Sequence, residues 1–146
     1  MPTRYAHDMI SDRKSLRRIF YNAWQKNQAN VTLTPLEQHI VALIHQHPEY
    51  HELMDNPAIG LDENYRSDNN PFLHLSLHIS LNEQIQTDRP KGIKALYQQI
   101  IMISPDEHHA QHLIMEVMAE LIWSAQQKNQ LGNDEEYLEQ IRSLLK

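Results

Sequence analysis

Cysteine is absent from this chain, and glycine nearly so, with three in 146 residues. Without thiols there is no disulfide, no cysteine nucleophile and no thiolate zinc site. Three glycines and seven prolines leave little of the turn chemistry on which a hairpin-rich β-fold depends. No apolar run approaches the roughly 20 residues of a membrane span. MPTRYAHDMISDRK at the N-terminus has no apolar signal core. A membrane partner is therefore not expected, and a cytoplasmic location is. Positive charge is also scarce: 13 Lys and Arg against 19 Asp and Glu give a net charge of −6 and a pI near 5.9. Nucleic-acid binders leave a basic footprint, so no nucleic-acid partner is expected. One basic stretch, RKSLRR from Arg13 to Arg18, reads first as the solvated face of a helix and second as a phosphate contact. Glycine-rich phosphate loops, nucleophile elbows and dinucleotide fingerprints are missing. So are HEXXH and ExxH, which removes zincins and ferritin-like di-iron sites.

What the chain does have is histidine, ten in all. The remainder is ordinary for a folded protein, 40% hydrophobic and 22% charged, and the length suits one domain with one core. We expect a single domain over residues 1–146, with 1–11 as a loose extension. Helical signals punctuate it. Leu16, Ile19, Phe20, Ala23 and Trp24 recur at helical spacing over about 12–27. Thr34-Pro35-Leu36-Glu37 is a capping box with proline at the first helical position. Pro48 ends that helix, and PEYHELM starts a short one or a kinked continuation. Residues 55–70 read as a loop. Helices are expected over 71–87, about 93–103 and 105–128, the last opened by a second capping box at Ser104-Pro105-Asp106-Glu107. A final helix starts at Asn133 and ends near Leu145. The fold class is all-α, a single-domain bundle of six or seven helices.

NNPFLHLSLHISLNEQ, from Asn69 to Gln84, alternates as a half-buried strand does. Only Val31–Thr34 looks extended elsewhere, so a strand here would lack partners, and Asn70-Pro71 suits a helix start. At about 100° per residue, Leu73, Leu77 and Leu81 form one stripe. Leu75 and Ile79 form another, nearly opposite. A helix apolar on two sides is central to a bundle, which places His74 and His78 inside it, one turn apart. The 105–128 helix repeats the device, with His108, His112 and Glu116 at i, i+4 and i+8 and His109 pointing away. Donors one turn apart on one face can share a metal ion. The candidate metal ligands are therefore His74, His78, His108, His112 and Glu116. His47 and His51, from HQHPEYHEL, and Glu120 form a second tier. Nitrogen and oxygen donors without sulfur suit a divalent transition metal: zinc, iron, manganese or nickel. Beside this stands the metal-free alternative, in which buried histidines bond to carbonyls or carboxylates. His47, ahead of the proline, reads in that case as the cap of the following turn.

RRIFYNAWQK, LTPLEQ, HPEYH, NPFLHLSLH, NEQIQTDRPKGI, DEHHAQH and MEVMAELIWSAQ occur in this order along nearly the whole chain. As a set they resemble the bacterial domain of unknown function 1841 family. The resemblance implies a small, helical, single-domain bacterial protein. It also implies that histidines matching His47, His51, His74, His78, His108 and His112 belong to the family pattern, whereas one at His109 does not. It brings no activity, substrate or catalytic residue.

Two functions follow. The first is a metal-binding protein with a histidine/carboxylate site on the 71–87 and 105–128 helices. As a metal-dependent hydrolase or oxidoreductase, it would have Glu116 or Glu120 to move a proton. The second is a metal-free interaction module with a buried histidine network. A protein partner or homo-oligomer is compatible with either.

Overall fold

Thr34 shows how the chain writes its own helix boundaries. Its hydroxyl accepts from the Glu37 amide at 3.2 Å, while the Glu37 carboxylate accepts from the Thr34 amide at 2.9 Å. This reciprocal pair satisfies two of the amides that a helix start leaves without partners. Asn70 opens another helix, its side-chain oxygen accepting from the amides of Phe72 (3.0 Å) and Leu73 (3.1 Å). The structure, a computed structural model, describes residues 13–61, 63, 65, 70–129 and 132–146. The extension expected over residues 1–11 lies outside them. Helices make up every regular element among the described residues. They are α1 (Arg13–Gln28), α2 (Pro35–His45), a 3-10 turn (Pro48–Tyr50), α3 (His51–Asp55), α4 (Pro57–Gly60), α5 (Pro71–Thr87), α6 (Ile93–Met102), α7 (Glu107–Lys128) and α8 (Asp134–Ser143).

The all-α class is as the sequence implies. The helix count is eight α-helices among the described residues, one above the upper expectation. The addition is α4, a single turn inside the stretch read as loop. Pro57 sits at its first position, with a fixed φ and no amide to waste, and the Pro57 carbonyl accepts from the Leu61 amide at 3.1 Å. The start of α7 also differs. Its cap is Asp106, whose carboxylate accepts from the His109 amide at 2.7 Å, and not Ser104, whose hydroxyl donates back to the Ile100 carbonyl at 2.6 Å. A carboxylate is the stronger acceptor beside the positive end of a helix, so it takes the cap. None of the helices among the described residues is long and apolar enough to cross a membrane.

The chain divides into two compact units, one made by Ala6–Ile79 and one built on Ser80–Lys146, and the division falls inside α5. In the first, α1 packs on α2 and α3, and α3 packs on α4. Phe72 anchors its aromatic core, with ring centroids 6.1 Å from Phe20, 5.8 Å from Tyr21 and 6.2 Å from Tyr65. An ion pair from Lys26 to Glu37, at 2.8 Å, joins α1 to the start of α2. In the second unit, α6, α7 and α8 pack on one another. The Tyr97 hydroxyl of α6 donates to Glu107 at 2.7 Å and accepts from Gln111 at 3.1 Å, both on α7. Tyr137 of α8 donates to the buried Gln84 of α5 at 2.7 Å.

Arg17 corrects the solvated-face reading of RKSLRR. Lys14 and Arg18 are exposed, but Arg17 is only 1% exposed. Its Nη1 donates to the carbonyls of Gly60 (2.7 Å), Leu61 (3.2 Å) and Glu63 (2.8 Å). The guanidinium lies over the ring of Phe72, 4.8 Å from its centroid. A buried cation is tolerable where several acceptors and an aromatic face replace its water. Arg17 thus ties α1 to the end of α4 and to Glu63 beyond it.

Candidate metal centre

Proline decides where His47 points. A residue before proline is pushed toward extended backbone, and His47 has φ −125° and ψ 72°. It occupies the cap position of the 3-10 turn, yet its side chain makes no capping bond. The ring turns back instead to the end of α2, where Nδ1 lies 2.7 Å from the Leu43 carbonyl. The last carbonyls of a helix lack intrahelical donors, so this one is open to the ring. A carbonyl only accepts, so Nδ1 carries the proton, and in the neutral ring Nε2 presents a lone pair. Tyr50 stacks on the ring, with centroids 5.3 Å apart and planes 7° apart. Burial, and then the charge of Glu49, push the Tyr50 phenol above its usual pKa.

Around His47 the first unit gathers the two histidines of α5. His74 Nε2 is 3.1 Å from His47 Nε2. The rings of His74 and His78 sit 4.9 Å and 5.0 Å from that of His47, and 4.9 Å from each other. His47 and His78 are 2% and 1% exposed, whereas His74 is half-buried. Nearly all of α5 around them is buried, including Leu75, Leu77, Ile79 and Leu81 and the hydroxyl-bearing Ser76 and Ser80. The alternating pattern is therefore that of a helix covered on several sides, and its histidines occupy the wall that the leucines leave.

His51 goes elsewhere. Its Nε2 lies 2.9 Å from the Ile44 carbonyl, and its ring packs on Trp24 at 5.0 Å and on His45 at 6.0 Å. Trp24 donates from Nε1 to Asp55 at 2.8 Å. His51 thus belongs to an aromatic cluster at the end of α2.

In the second unit, His108 and His112 lie one turn apart on α7 with ring centroids 4.1 Å apart, both half-buried. Glu116 and Glu120 are exposed, as is His109. Each four-residue step on a helix advances the face by about 40°, so i+8 lies about 80° round from i. Glu116 has accordingly turned out of the histidine row. Among the described residues, four histidines each offer a ring nitrogen as a candidate metal ligand, His47 and His78 in the first unit and His108 and His112 in the second. Three of them stand in the sequence-derived ligand set, and His47 comes up from its second tier. The signal that could have raised it was a histidine just beyond a helix end and just before proline.

The comparisons with known proteins give a family and no chemistry. No curated protein and no solved structure matches the chain. The model of one protein family, described as a domain of unknown function (DUF1841), matches residues 12–143. That span covers nearly all of the sequence, and the chain belongs to the DUF1841 family.

Proposed function

We propose that this is a metal-binding protein that holds one divalent transition metal through ring nitrogens of His47, His78, His108 and His112. The observation that carries the reading is the state of His47. Ligating histidines nearly always donate their second ring nitrogen to a carbonyl or carboxylate, which fixes the tautomer and aims the lone pair. The Nδ1 contact to the Leu43 carbonyl, at 2.7 Å, is of that kind. Further support is the chemistry of the set, since each of the four offers one ring nitrogen as a ligand atom. Metal–nitrogen bonds of about 2.0–2.1 Å set tetrahedral ligands about 3.3 Å apart.

Four imidazoles carry no charge, so the ion would keep its full double charge and act strongly on any further ligand. In a four-coordinate site that charge is structural. In a five- or six-coordinate site it polarises a bound water or substrate oxygen. Zinc favours the first, and iron, manganese and nickel tolerate the second. Neither Glu116 nor Glu120 belongs to the four-residue group, so a proton-moving role for either requires substrate to reach the exposed face of α7. The metal-free interaction module is the second reading, favoured by the His47–His74 hydrogen bond of 3.1 Å, which satisfies His47 without an ion.

Chelation separates the two. Untagged protein loaded with zinc should melt higher than the same protein with a chelator, because a ligand of the native state stabilises it by linkage. Identical melting with and without chelator, after exposure to zinc, iron, manganese and nickel, would leave the interaction module.

A further inference from the structure

We infer that His74 is a competitor of the metal, not one of its ligands: in the metal-free chain its Nε2–H holds the His47 lone pair that an ion needs. This rests on the four-histidine reading. His47 Nδ1 lies 2.7 Å from a carbonyl and so keeps its proton. The only other ring nitrogen, Nε2, is the one 3.1 Å from His74 Nε2. A single proton must lie between those two nitrogens. In the neutral ring His47 has none to give there, so His74 donates. An sp² nitrogen has one in-plane lone pair, which serves a proton or a metal and not both. Coordination by His47 therefore breaks the hydrogen bond to His74.

The two α5 histidines then have opposite duties. His78 is almost fully buried and belongs to the group of four that could hold an ion. His74 is half-buried and outside that group. While the ion is away, His74 keeps the buried His47 satisfied. When the ion arrives, His74 withdraws, and its side chain has the exposure to do so. The hydrogen bond is thus a fixed cost against every metal, and only ions that bind imidazole strongly overcome it. Being equal for all, that cost lowers every affinity and leaves the intrinsic order of the ions unchanged, with manganese weakest.

The test is calorimetric titration of wild type and His74→Ala with zinc sulfate, at one pH, on protein whose helical spectrum is unchanged. Removing a competitor tightens binding, by about three- to tenfold for one hydrogen bond. Removing a ligand weakens it. Zinc binding by His74→Ala that equals or falls below wild type overturns the inference while leaving the four-histidine reading in place. Absence of zinc binding by the wild type overturns both. Histidine-nitrogen NMR of the wild type needs no variant to fold. On zinc addition, His47 Nε2 should take the shift of a ligated nitrogen and His74 Nε2 should not, and a ligated His74 overturns the inference.

Discussion

Arg17 is the residue where charge and position disagree most. It stands three, four and seven residues before Phe20, Tyr21 and Trp24, all buried, so it lies in the apolar register of α1. Its basic neighbours pulled the sequence reading toward a solvated face. Register was visible in the sequence, but the three carbonyls that replace water are supplied by Gly60, Leu61 and Glu63, more than 40 residues away. No local pattern announces them. Arg17→Met should cost about 3 kcal/mol or more in urea unfolding, since it strands those carbonyls. A loss under about 1 kcal/mol would show that water reaches them and that the burial is not structural. Gly60 answers to the same contact. A Cβ there would run into the Tyr21 hydroxyl and lie 2.8 Å from Leu53 Cδ1. Gly60→Ala should lose about 1–3 kcal/mol by overpacking. Tyr21→Phe should recover part of that loss in the double variant, and simple additivity would contradict the clash.

Among the elements, α5 was the most legible and α7 the most instructive. Lack of strand partners, with Asn70-Pro71 at its start, outweighed the alternation in α5, and the observed helix runs over Pro71–Thr87. Where α7 begins is less legible because Ser104 and Asp106 both suit a cap, and the stronger acceptor takes it. Asp106→Ala should therefore cost about 1 kcal/mol in thermal or urea unfolding, and Ser104→Ala clearly less. Equal losses would contradict the assigned cap. The Tyr97 hydroxyl joins α6 to this same first turn of α7. Burial is the main cause that pushes its phenol up to about 12, with Glu107 adding to the rise and Gln111 opposing it. A raised pKa favours the neutral, folded form. Its contribution is whole below the unfolded value near 10 and is lost as pH rises toward 12. Tyr97→Phe should flatten the fall in melting temperature across that interval, and an unchanged alkaline slope would place the titration elsewhere.

For the whole molecule, the sequence narrows the chemistry of the proposed site further than its membership. Ten histidines without cysteine narrow the proposed donors to nitrogen and oxygen, and helical spacing points to His78, His108 and His112 among them. His47 was harder because the direction of a ring beyond a helix end depends on backbone angles that Pro48 sets. Glu116 is exposed, as expected where a row of i+4 steps drifts around a straight helix. The family match adds no chemistry that would settle the use of the site. Metal content tests the central claim most directly: elemental analysis of untagged wild type, His78→Ala and His112→Ala, each exposed to zinc, iron, manganese and nickel and then desalted. One ion per wild-type chain, with a steep loss in both variants, is the expected result. A wild type that retains no stoichiometric metal from any of the four solutions would contradict the claim and leave a histidine network that serves the fold alone.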